Sequence, residues 1–245
     1  MSTLKVHNIE PATGSNLTIG ASGDTVTLAS DSLKTNAFKD AGGNTLFSSD
    51  GAGTVSNINS SLKPAGPILI STQQIEGDQV GTMEFTTGID NTYDKYMFVF
   101  VDLEISYNAS QIVFDGSTNG GSSYGITKTT SVFLSYHNEA DNTTNLTYQS
   151  NQDVANATAV QSISYGQGGN WPADETLSGI MYLYNPAGAF IKHFQIRTNF
   201  YHGTDQSWNF FVGGYFNTTS AINAIKFNSV QGAMVSGKIK LYGIR

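Results

Sequence analysis

Few residues in this 245-residue chain are of the kinds that do chemistry: four His, 19 acidic and 12 basic side chains, and no Cys. Without thiols there is no disulfide, no thiolate nucleophile and no Cys-ligated metal. His193 and His202 come close enough before Asp205 to suggest a metal cluster. Strand alternation, however, sets His193 on a polar face with Gln195 and Arg197, where a solvated imidazole is the simpler reading. Asp115 opens DGSTNGG, which follows a calcium loop through Ser117, Asn119 and Gly120. The twelfth position is Ile126 where a bidentate Glu is required, so the segment reads as a Gly-supported turn. Asp102 and Glu104, about 7 Å apart along a strand, come nearest to a glycosidase carboxylate pair, but alternation makes such pairs in any strand. The zinc-protease HExxH pattern and the phosphate-binding GxxxxGK followed by Ser or Thr do not occur. The expectation is a protein without catalytic centre, metal or cofactor.

Binding chemistry is better represented. Three segments mix aromatic faces with amides, hydroxyls and acids: YHNEADNTTN (136–145), YGQGGNWPADE (165–175) and YHGTDQSW (201–208). Sugars present apolar C–H faces and fixed hydroxyls, which suit stacking aromatics flanked by Asn and Asp. Tyr136, His137, Trp171, Asp174, Tyr201, His202, Asp205 and Trp208 are therefore candidates for contacting a glycan. The alternative for Trp171 and Trp208 is packing, in the core or at a subunit contact.

The elements that must position these residues are strands. Ser and Thr together number 52, Asn 21 and Gly 26, while charged residues are only 13% of the chain. Good helix formers are scarce, and β-branched and aromatic residues alternate with turn formers. From residue 68 onward roughly a dozen strands are legible, separated by turn signals, which is the pattern of an antiparallel β-sandwich. In KYMFVFVDLEIS, alternation places Val99, Val101, Leu103 and Ile105 on one face, and Phe98, Phe100, Asp102 and Glu104 on the other. In AFIKHFQIRTNF it groups Phe190, Phe194, Ile196 and Phe200. Ile239 and Leu241 oppose Lys238 and Lys240. Residues 1–65 differ. They hold two Phe, no Trp and no Tyr, and repeat short pieces (LKVHNI, LTIGAS, TVTLAS, NTLFSSD, GTVSNIN) between Gly, Asn and Asp. Each piece is too short to bury a face alone, so three chains wrapped together are expected to make the interior of a trimeric stem. The join SSLKPAGPILIS, with Pro64, Gly66 and Pro67, separates this stem (1–65) from the sandwich (66–245). The net charge is −7 and the basic residues form no stripe, which argues against nucleic acid as a partner. No stretch reaches the ~20 apolar residues of a membrane helix, and MSTLKVHNIEP lacks the apolar core of a signal peptide. Synthesis in a cytoplasm without membrane insertion is expected.

The chain resembles fibre and appendage proteins of tailed bacteriophages, particularly those of marine bacteria. LKVHNIEPATGSNLTIGASGDTVTLAS looks like the opening of such stems. FKDAGGNTLFSSDGAGTVSNIN looks like their short β-repeat. FVGGYFNTTSAINAIKFNSVQGAMVSGKIKLYGIR is similar to the closing strands of their terminal β-sandwich modules, in which STNGGSSY recurs as a hairpin turn. The strand ending in KIKLYG is also similar to trimeric jelly rolls of the complement and tumour-necrosis-factor shape. The resemblance implies an all-β, non-enzymatic virion protein: a homotrimeric tail fibre or spike with a distal, jelly-roll-like sandwich for host adhesion. It implies attachment to other virion proteins through the N-terminal segment. The rival expectation is a capsid decoration (cement) protein or head fibre, whose sandwich contacts capsid subunits. A cell-wall polysaccharide hydrolase is a third and weaker reading.

Overall fold

The computed structural model describes residues 35–59, 62, 66–77, 79–107, 110–165 and 175–245. The chain divides into two compact units, Met1–Lys63 and Pro64–Arg245. In the first unit three strands form one antiparallel sheet in sequence order: β1 (Ala37–Lys39), β2 (Thr45–Ser49) and β3 (Val55–Ser56). The pieces NTLFSSD and GTVSNIN supply β2 and β3; LKVHNI, LTIGAS and TVTLAS lie outside the described residues. The turns follow from Asp chemistry. Asp40 Oδ1 accepts the Gly42 and Asn44 N–H groups at 2.9 and 2.8 Å, and Asp50 Oδ1 accepts those of Ala52 and Thr54 at 2.7 and 3.0 Å. Phe38 and Phe47 face each other across β1 and β2 with ring centroids 4.6 Å apart. No described residue of this sheet is buried.

The second unit is an antiparallel β-sandwich. Its small sheet has the order β10 (Gln161–Ser162), β7 (Ile112–Ser117), β14 (Ala224–Ser229), β5 (Thr82–Phe85). The large sheet has eight strands in the order β4 (Ile68–Gln74), β15 (Met234–Ile244), β6 (Lys95–Ile105), β11 (Leu177–Tyr184), β12 (Lys192–His202), β13 (Gln206–Phe216), β8 (Lys128–Asn138), β9 (Thr144–Tyr148). Every strand expected from the sequence beyond residue 68 is present. The core between the sheets is aromatic. Phe227 of β14 meets Phe98 and Phe100 of β6 at 5.3 and 5.2 Å, and Phe114 of β7 meets Phe194 of β12 at 5.1 Å, all edge to face. Such pairs each contribute roughly 0.5–1.5 kcal/mol beyond the burial of their area.

Two facial assignments change. In β6 the buried set is Tyr96, Phe98, Phe100, Leu103 and Ile105, so the phase slips by one residue between Phe100 and Leu103. The cause is a β-bulge at Asp102, whose φ is +50°, with register shifts against both β11 and β15. Gly237 makes the bulge possible: its φ is +97°, and a Cβ there would lie 2.3 Å from the Asp102 carbonyl oxygen. Phe98 and Phe100 therefore share the core with Leu103 and Ile105, and Asp102 and Glu104 turn to the opposite, outward face. Phe190 lies before β12 and is 79% exposed, unlike Phe194, Ile196 and Phe200, which are buried.

Candidate functional site

The structure brings six of the eight glycan-contact candidates to one end of β8, β12 and β13. Register accounts for this: Trp208 pairs with Tyr136 and Phe200, and Ser207 with His137 and Tyr201. Alternation splits the five that lie on strands, and the β12–β13 turn carries Asp205. Tyr136, His202 and Trp208 point to the core side, while His137, Tyr201 and Asp205 lie toward solvent. Trp208 is only 8% exposed. His202 stacks on it at 4.1 Å and Tyr136 at 5.4 Å, with Tyr165 and Phe200 at 5.2 and 5.8 Å. Its indole N–H donates to Gln206 Oε1 at 2.6 Å. The packing alternative thus describes Trp208, whose ring offers no open face to a sugar. His202 is buried, with Nδ1 2.8 Å from the Thr204 hydroxyl, and burial holds its pKa below the usual imidazole value. On the outside, Tyr201 donates to Asp205 Oδ1 at 2.6 Å and His137 Nε2 lies 3.0 Å from Asp141. Trp171 and Asp174 lie outside the described residues. His193 is exposed on the outward face of β12 and His202 buried on the inward one. Among the described residues no three His or acidic groups could hold a metal ion. The DGSTNGG segment is the end of β7 followed by a turn: the Ser117 hydroxyl accepts the Asn119 and Gly121 N–H groups at 3.2 and 3.0 Å, with Gly120 and Gly121 at positive φ.

A second feature lies on the outward face of the large sheet, where a groove of about 330 Å³ crosses β11, β12, β13 and β8. One cross-strand row runs Ile180, Arg197, Phe211, Phe133, and the next runs Tyr182, Gln195, Gly213, Ser131. Gly213 leaves a gap in the second row, between Gln195 and Ser131. A Cβ there would meet nothing nearer than Ser131 Oγ at 3.9 Å. The walls are aromatic and cationic. Phe211 stacks on Phe133 at 4.6 Å and 9°, and the Arg197 guanidinium lies 5.4 Å from the Phe211 centroid. Lys95 Nζ lies 5.0 Å from the Tyr182 centroid, and Tyr184 donates to Gln195 Oε1 at 2.9 Å. Strand alternation had set Gln195 and Arg197 on a polar face, but the groove residues as a set were missed. The signal was present in SWNFFVGGYF, because adjacent Phe210 and Phe211 cannot both face the core.

Between the sheets sits a buried ion pair. Lys128 of β8 places Nζ 3.0 Å from Asp115 Oδ1 of β7, with side chains 0% and 3% exposed. Nζ also donates to the Ala159 carbonyl at 2.6 Å, and Asp115 Oδ1 accepts the Gly116 N–H at 2.8 Å. Burial pushes the Asp115 carboxyl up and the Lys128 ammonium down, each opposed by the other's charge. The pair joins the two sheets and lies away from the groove and the Trp208 cluster.

Comparisons of the chain with protein-family models, curated proteins and solved structures find no significant match.

Proposed function

We propose that the protein is a non-enzymatic virion component of a tailed bacteriophage, a trimeric tail fibre or spike whose β-sandwich adheres to the host surface. The observation that carries this reading is the hairpin sheet of β1–β3. It has strand pairing, Asp-capped turns and a Phe38–Phe47 contact, yet no described residue in it is buried. A small sheet with no interior of its own gains one from copies of itself, and closed homo-oligomers are the ordinary solution. The sandwich supports the adhesive half, because it holds its own core and still presents aromatic and polar groups outward. Virion attachment then falls to the N-terminal segment.

Sedimentation of the full chain tests assembly. A trimer at about three times 26.2 kDa is expected, and a monodisperse monomer at micromolar concentration overturns the reading. Adsorption of the labelled protein to host cells tests adhesion. A trimer that binds purified capsids and no cells is instead a decoration protein.

A further inference from the structure

The groove over Gly213 has a charge character opposite to that of the chain around it. The net charge is −7. Yet the outward positions of β15, β11, β12, β13 and β8 carry Lys238, Lys240 and Arg197 and no carboxylate. On β6 the outward acids Asp102 and Glu104 come at the bulge, at the far end of the strand from Lys95. Arg197, which lines the groove, and Lys95, which rests on its Tyr182, have no carboxylate partner among the described residues. Each rests on an aromatic face instead. A cation held flat on a ring is oriented in advance while its N–H edges stay available, and Arg presents them as a fork that fits a carboxylate in a bidentate manner.

We infer that this groove binds an acidic oligosaccharide, with a uronate or sulfate group on Arg197 and a sugar ring against the aromatic walls. The volume lies at the lower end of small-ligand pockets (~300–1,000 Å³), the scale of a mono- or disaccharide unit within a longer chain. Tyr182 and the exposed side of Phe133 supply apolar surface for C–H faces, while Gln195 and Ser131 supply hydroxyl partners. Gly213 is what keeps the space open. The proposal deepens the adhesive reading by naming a site and a ligand class, and it moves the expected contact from the loops to the sheet face.

The test is calorimetric titration of the purified full-length protein with tetragalacturonate, tetramannuronate and a heparin-derived tetrasaccharide. Neutral galactotetraose and a short single-stranded DNA are the controls. Binding of at least one acidic probe is expected, with the neutral one weaker by tenfold or more. Gly213→Leu should abolish binding without lowering the melting temperature, since its Cβ meets no obstacle. Arg197→Gln should weaken binding roughly ten- to hundredfold, the scale of one lost charged hydrogen-bonding pair, and serves should the leucine variant fail to fold. The proposal is overturned if no acidic probe binds, if the neutral probe binds as well, if the DNA binds more tightly, or if both variants bind like the parent. Cell adsorption separates it from the adhesive reading. A protein that adsorbs to cells and binds no acidic probe removes the groove and keeps the adhesin, whereas acidic-probe binding by a protein that adsorbs to no cell keeps the groove and removes the adhesin.

Discussion

Replacing Lys128 by Met tests how the two sheets are held together. The variant keeps the aliphatic stem and deletes the ammonium, leaving Asp115, whose side chain is 3% exposed, with the Gly116 N–H and the weaker influence of Lys226 on β14. It also removes the donor from the Ala159 carbonyl. Breaking one side of a buried pair costs about 3–5 kcal/mol, because the remaining charge is desolvated and has lost its main counter-charge. For a unit of this size that corresponds to a fall in Tm of roughly 6–20 °C. Asp115→Leu strands the ammonium and should cost a similar amount. The double variant Lys128→Met/Asp115→Leu should lie within about 1–2 kcal/mol of the parent, since an apolar pair of similar volume replaces the ion pair without its desolvation. The assay is urea unfolding of all four proteins at one protein concentration, read as a double-mutant cycle. Single variants that each cost under about 1 kcal/mol would refute the reasoning, because that is the behaviour of a solvated pair.

Trp208→Ala should destabilise the fold by about 3–5 kcal/mol in denaturant unfolding, as removal of a packed indole does, without changing glycan or cell binding by the protein that remains folded. Lost binding at unchanged stability would return Trp208 to the contact surface. His202 gives a pH dependence. Its folded-state pKa lies below 6.5, so the unfolded chain takes up a proton that the folded one excludes. Its contribution is complete above pH 6.5 and declines as the pH falls below it. His202→Phe keeps a ring against Trp208 and should flatten the acid side of a Tm-against-pH curve relative to the parent, and identical curves would count against a buried neutral imidazole.

Fold class was legible because period-2 alternation is a local property of the backbone. Ile239 and Leu241 against Lys238 and Lys240, or Phe194 and Ile196 against Gln195 and Arg197, follow from strand geometry whatever the partner. Alternation failed where a long-range partner changed the backbone. At β6 the bulge depends on Gly237, more than 130 residues away in sequence and opposite Asp102 in space. Nothing within KYMFVFVDLEIS announces it. Phe190 failed for a different reason, since periodicity extended past the end of the strand that generates it. The candidate residues Tyr136, His137, Tyr201, His202, Asp205 and Trp208 do converge, because loops at one end of antiparallel strands are neighbours. Which of the strand residues point outward depends on register, and that set Trp208 inside and Tyr201 toward solvent.

The groove shows what a one-dimensional reading lacks. Its row of Arg197, Phe211 and Phe133 is contiguous only through the pairing of β12, β13 and β8. The dipeptide Gly213–Gly214 makes the same point at the scale of one peptide bond. In sequence the two glycines are equivalent punctuation. In the sheet Gly214 faces inward, where a Cβ would stand 2.6 Å from the Thr129 carbonyl oxygen and 3.1 Å from the Phe194 ring. Packing alone requires that glycine, because the backbone beside it has no room to yield. Gly213 faces outward, meets no such constraint, and still carries no side chain in a row otherwise made of Tyr182, Gln195 and Ser131. A glycine in mid-strand weakens the strand by leaving it more freedom in the unfolded chain and nothing to pack. Packing does not demand this one, and the open space it leaves lies between a guanidinium stacked on Phe211 and a tyrosine capped by Lys95.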